Sequence, residues 1–141
     1  MNKQSRAVLA FKGLSLSRED CQRFSGPCLR SFFKVAEEWK LNDKEQMRLL
    51  GIKSYQALNR RRKGKKVILN NTQIEMLGWV FSIYKDLYIL FKNTEAVNEW
   101  MKKPNQAPMF QGKSAMEYIM KGDLPMERML NVRNYIKSQT N

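Results

Sequence analysis

The stretch Leu41–Lys66, LNDKEQMRLLGIKSYQALNRRRKGKK, reads as two short helices joined by a tight turn. Asn42 caps the first helix, because its side-chain oxygen accepts from the orphan N–H groups of the opening turn. Glu45, three residues on, completes a capping-box-like pair. Met47, Leu49 and Leu50 supply a buried face. Gly51 stands where the helix must stop, since glycine takes a left-handed conformation without penalty. Ile52 then plugs into the core. Ser54 opens a second helix, with Ala57 and Leu58 facing inward. Its outer surface presents Tyr55 and Gln56 and, one turn on, Asn59 and Arg60. Helix, glycine turn, helix and a basic run form the pattern of a helix-turn-helix whose second helix enters the major groove. On that reading Lys53, Ser54, Tyr55, Gln56 and Asn59 approach base edges, and Arg60, Arg61, Arg62 and Lys63 hold phosphates. The plainer reading is a helical hairpin with a solvated basic end.

The charge distribution bears on that choice. The 141-residue chain carries a formal net charge of +13, and residues 53–66 hold seven basic and no acidic side chains. More than half of the excess therefore lies in one short segment. A local patch of this kind fits phosphate binding through counterion release better than general solubility. It lacks the long apolar face of an interfacial helix, so no membrane partner is expected.

A hydrophobic content of 43% supports one folded domain, or two small ones sharing a core. The chain has no histidine, which removes Ser-His-Asp and Cys-His catalysis and His-containing zinc sites. Cys21 and Cys28 match no strong metal spacing, and no glycine-rich phosphate loop is present. Glu95 and Glu99 share a helix face but read as solvated. No enzyme activity, cofactor or metal is expected. The opening MNKQSRAVLAFKG has no sustained apolar run, so no signal peptide is expected. With two free thiols, this gives a cytoplasmic location. The apolar stretch from Ile74 to Phe91 is broken by Glu75, Lys85 and Asp86, which marks a core helix rather than a membrane span.

Outward from the opening stretch, residues 1–26 read as a mobile basic arm with at most a short helical turn near Ser17–Phe24. Gly26-Pro27 marks a helix start. Leu29, Phe32, Phe33, Ala36 and Trp39 follow as one apolar stripe. After the basic run, Val67-Ile68-Leu69 folds back on the core. A long central helix then bears Ile74, Leu77, Val80, Phe81, Tyr84, Leu87, Tyr88 and Phe91. Met76, Trp79, Ile83 and Leu90 widen its apolar surface, so it must be covered on several sides. Any side left bare would serve a dimer or a partner. Asn93-Thr94 starts another helix, Ser114 caps a short one that ends at Gly122, and Pro125 opens the last. Six of the nine methionines lie between Met101 and Met129, which suits either an adaptable contact surface or plain core filling.

Three groups of residues resemble one family. The first is Phe33-Lys34-Val35-Ala36-Glu37-Glu38-Trp39-Lys40-Leu41 leading to Leu49-Leu50-Gly51. The second is Leu77-Gly78-Trp79-Val80-Phe81-Ser82-Ile83-Tyr84-Lys85-Asp86-Leu87, running to Leu90-Phe91. The third, and most specific, is Trp100 with Pro104-Asn105, then Phe110-Gln111-Gly112, Tyr118 to Gly122 and Val132-Arg133-Asn134-Tyr135. In this order they resemble antitoxins of the Xre/MbcA/ParS type, partners of RES-domain toxins in type II toxin–antitoxin systems. The chain departs from the family's usual pattern at Ala115, at Arg60-Arg61-Arg62 and at Glu75-Met76.

The resemblance implies an all-α protein. A helix-turn-helix DNA-binding and dimerisation domain with a long central helix would span residues 27–91, and a small helical toxin-binding domain residues 92–141. It implies an antitoxin that covers the active site of an NAD-degrading RES toxin and represses its own operon at operator double-stranded DNA. A homodimer within a larger toxin–antitoxin complex would follow from the geometry of two half-sites. Toxin contacts would fall among Trp100, Asn105, Phe110, Gly112, Tyr118, Gly122, Arg133 and Tyr135. Phe110, Tyr118, Arg133 and Tyr135 are the expected anchors, and the two glycines shape the domain. The alternative is a stand-alone dimeric helix-turn-helix repressor without a toxin partner.

Overall fold

In the computed structural model, which describes residues 15–140, Ser17 rather than Gly26-Pro27 opens the first helix. Helix α1 runs Arg18–Glu38 and carries Pro27 inside it. Its cap explains the early start. The Ser17 hydroxyl oxygen accepts from the Asp20 N–H at 3.0 Å, and Glu19 and Asp20 place negative charge in the first turn. An internal proline removes one N–H and crowds the carbonyl four residues back, at a cost of about 3 kcal/mol. Burial outweighs it. Cys21, Cys28, Leu29, Phe32 and Val35 line one buried face on both sides of Pro27, and a fully buried aliphatic or aromatic side chain contributes about 1.5–3 kcal/mol. Residues 15–26 of the expected arm thus belong to the fold, and residues 1–14 lie outside the described residues.

Two polar contacts fix this helix against distant segments. The Leu16 N–H donates to Asn71 Oδ1 at 2.8 Å. The buried Ser25 hydroxyl donates to the Cys21 carbonyl and accepts from the Leu69 N–H at 2.8 Å. At the far end, Lys40 sits in the left-handed region (φ 56°) while the Leu41 N–H returns to the Ala36 carbonyl at 2.9 Å. A side chain there is strained relative to glycine. Lys40→Gly is expected to stabilise the chain by about 0.5–1 kcal/mol, net of the unfolded-state entropy that glycine adds. Urea denaturation should show a raised midpoint at unchanged slope; a lowered midpoint would contradict the strain.

Helices α2 (Asp43–Leu50) and α3 (Tyr55–Arg62) form the expected helix-turn-helix. Asn42 and Glu45 complete the capping box, each side chain accepting from the other's N–H at 2.8 Å. Gly51 is left-handed at φ 67°. Leu49, Leu50 and Leu58 are fully buried, as are Phe32 and Trp39 of the preceding segment. Met47 and Ile52 are only half-buried. Gln46 takes an inward position instead, donating to the Leu41 carbonyl at 2.8 Å.

Helix α4 (Asn71–Phe91) begins where Asn70 and Gln73 cap each other, at 2.8 and 3.0 Å. Among Val67-Ile68-Leu69 only Leu69 is fully buried, and Ile68 is exposed. The chain divides into two compact units, residues 1–81 and 82–141, so the division falls inside α4 rather than after Phe91. The second unit adds α5 (Thr94–Trp100), α6 (Ala115–Met120) and α7 (Pro125–Gln139). Asn93 caps α5, Ser114 and Glu117 form a capping box on α6, and Pro125 takes the first turn of α7. Its core holds Val97, Met101, Met116, Ile119, Val132 and Ile136, all fully buried. The described residues are thus all-helical, with seven helices and a helical C-terminal unit. No helix among them is long and apolar enough to cross a membrane.

Candidate functional site

The two units carry different surfaces. In the first, Ser54 caps α3 by accepting from the Ala57 N–H at 3.0 Å, which fixes the entry of the helix and exposes its first turn. Lys53, Tyr55, Gln56, Arg60 and Lys63 are exposed, and Asn59 is half-buried. This is the face expected for contact with a polyanion.

The three arginines are not equivalent. Arg61 lies back on its own helix, Nη1 donating to the Ala57 carbonyl at 3.1 Å. Burial, and then the adjacent Arg60 charge, hold its pKa below the ordinary arginine range. Arg62 is an internal tie. It pairs with Asp43 at the start of α2 and donates to Gln46 Oε1 at 3.0 Å. The sequence pattern assigned all three to phosphates, but Arg62 locks the two helices of the motif together.

The second unit gathers four of its expected site residues into one aromatic cluster. Phe110, 2% exposed, is its hub. Its ring meets those of Trp100, Tyr118 and Tyr135 edge-on, at centroid distances of 6.0, 5.7 and 5.3 Å, and Trp100 stacks on Tyr135 at 6.4 Å. Such edge-to-face and offset geometries suit the ring quadrupoles. Phe110 reaches the hub because its loop is closed tightly. The Asn105 side chain accepts from the Ala107 N–H at 2.9 Å, and its backbone exchanges bonds with Lys113 and Gly112 at 3.0 and 3.1 Å. Gly112 turns the loop at φ 81°. The Met116 N–H then donates to the Met101 carbonyl at 2.9 Å, joining α6 to the end of α5.

Arg133 is not a surface anchor. It is buried, and its Nε donates to Asp86 Oδ2 at 3.1 Å, tying α7 to the last turns of α4. Phe110 is likewise internal, while Trp100, Tyr118 and Tyr135 are half-buried at its edge. Sequence reasoning passed over two residues that dress Tyr118. The Arg128 guanidinium sits 4.5 Å from the ring centroid and donates to the Tyr118 carbonyl at 3.0 Å. Asn131 donates to the Tyr118 hydroxyl at 2.9 Å. Asn131 lies four positions and Arg128 seven positions before Tyr135, one and two turns back along the same side of α7, which was the only local signal. Apolar surface left open in this unit includes Tyr88, Ile89 and Phe91 on α4, and Leu124 and Leu130 at and within α7.

Among the described residues no group of three or more His, Cys, Asp or Glu side chains is placed to hold a metal. Burial pushes the Cys28 thiol up to about 11, so it stays protonated.

Residues 86–139 match the antitoxin Xre/MbcA/ParS C-terminal toxin-binding domain. The match starts at the Asp86 carboxylate that holds Arg133 and stops at the last residue of α7. It falls wholly within the second compact unit. The chain is also 31% identical over 111 residues to the uncharacterized protein y4oB of Sinorhizobium fredii (strain NBRC 101917 / NGR234), covering 79% of this chain and 82% of that protein. No solved structure matches. The protein is thus a helix-turn-helix chain with a helical toxin-binding module. It belongs to the family of proteins that carry the antitoxin Xre/MbcA/ParS C-terminal domain, a family defined by binding rather than catalysis.

Proposed function

We propose that this chain is the antitoxin of a type II toxin–antitoxin pair, acting in the cytoplasm. Its C-terminal unit covers the active site of a RES-domain toxin that degrades NAD. Its helix-turn-helix binds operator DNA as a homodimer and represses its own operon. The observation that carries the reading is the coincidence of the toxin-binding domain match, residues 86–139, with a separately packed helical unit. The RES class of the toxin rests on the ordered resemblance running from Phe33 to Tyr135. Repression rests on the exposed basic face at α3, where Gln56 and Arg60 of the helix and Lys53 and Lys63 flanking it are available to phosphates and base edges.

Co-expression with the neighbouring reading frame, with purification through a tag on this chain, tests the first half. A stable complex is expected, with NAD loss only when this chain is absent. An undisturbed NAD pool in both cases, with no co-purifying protein, would leave a repressor without a toxin.

A further inference from the structure

A groove of about 830 Å³ runs between α1 and the segment that follows α3. Six cationic side chains line it: Arg30 and Lys34 from α1, Arg61 and Arg62 from α3, and Lys65 and Lys66 beyond it. Its lining includes no carboxylate, and apolar side chains, Phe33 and Ile68 among them, share it with the cations.

We propose that this groove is a second phosphate-binding surface, through which Arg30 and Lys34 of α1 clamp the DNA backbone beside the segment held by α3. The inference deepens the operator-binding reading and rests on it. Arg62 is already paired with Asp43, but Arg30, Lys34, Arg61, Lys65 and Lys66, gathered from three segments, repel one another, and a polyanion is the ligand that relieves this. Continuity favours nucleic acid over an acidic protein. Arg61 and Arg62 belong at once to the groove and to the helix that presents Gln56 and Arg60. A backbone lying along that face continues into the groove without leaving positive potential. Burial, and then Arg60 on the same helix, destabilise the charged form of Arg61, and a phosphate would restore it. Gly26 fits the role as well. A Cβ there would lie 3.2 Å from Arg30 Nη1, so the glycine leaves the guanidinium its place on the rim.

Arg30 and Lys34 are exposed on a helix whose opposite face makes the core, so removing them leaves the fold intact. The full chain is titrated against a duplex from immediately upstream of its own reading frame, at stepped salt concentrations. For Arg30→Ala/Lys34→Ala, the slope of log affinity against log salt is expected to shrink by about 2, or roughly one per lost phosphate contact. Arg30→Lys/Lys34→Arg should keep the wild-type slope. Lys121→Ala/Lys137→Ala, which removes the same charge from the second unit, should leave it nearly unchanged. An unaltered slope in the first variant overturns the proposal, as does an equal loss in the charge-matched control. Unaltered DNA binding with weakened capture of the toxin would assign the groove to a protein partner instead. A wild-type chain that fails to bind the duplex at all would overturn the operator reading itself, an outcome distinct from the other three.

Discussion

Phe110→Ala is expected to destabilise the C-terminal unit by about 3–5 kcal/mol, the usual range for deleting a buried phenylalanine ring. The value should fall high in that range. Phe110 touches three other rings, so its loss removes three edge-on contacts, each worth about 0.5–1.5 kcal/mol beyond area burial. The loop from Pro104 to Ser114 is closed by its own backbone bonds between Asn105, Gly112 and Lys113, which leaves it little freedom to collapse into the cavity. Since a domain's whole stability is about 5–15 kcal/mol, the unit should lose a large share of its stability and unfold at a markedly lower urea concentration. Urea denaturation followed by near-ultraviolet circular dichroism measures it. Tyr118→Phe is the informative companion, because it keeps the ring and removes only the hydroxyl that accepts from Asn131. It should cost about 1 kcal/mol. Equal effects of the two variants would show that ring packing is not what holds the cluster.

The second large effect is expected at Asp86. Asp86→Ala takes the carboxylate away from a guanidinium that is itself about nine-tenths buried, and breaking a buried pair from one side costs about 3–5 kcal/mol. The same principle predicts recovery when both charges go. Asp86→Leu/Arg133→Met should regain most of the loss, since two desolvated charges are replaced by packing. Non-additivity in the cycle of Asp86→Leu, Arg133→Met and their double variant, at about 2 kcal/mol or more, is the measurement. Additive losses would show that Arg133 owes its place to something other than Asp86.

These two sites also show what could and could not be seen in the linear sequence. Asn42 with Glu45, Ser114, Gly51 and Pro125 are signals contained within one helical turn, and they place α2, α6, the turn of the motif and α7 correctly. Pro27 misled because a proline in the first turn of a helix and one in its middle look alike unless the upstream cap at Ser17 is weighed against it. Asp86 read as a polar break in an apolar helix, and Arg133 as an anchor for a partner. Their pairing spans a separation of 47 residues, which no local periodicity reports. Arg62 was obscured by its neighbours. In a run of three arginines only the position of Asp43 in space distinguishes the one that ties the two helices together from Arg60, which faces outward, and Arg61, which lies back on its own helix. The aromatic cluster was legible as a set of residues, but its inward orientation was not.

The Ser25 hydroxyl has a consequence for how the N-terminal unit opens. The Leu69 amide lies in an irregular segment, yet its proton is given to a buried side chain of α1 rather than to a neighbouring turn. Its exchange with solvent deuterium therefore cannot proceed by fraying of a helix end. It requires the connection before α4 to lift away from α1, so the protection of this single amide reads out the free energy of that opening.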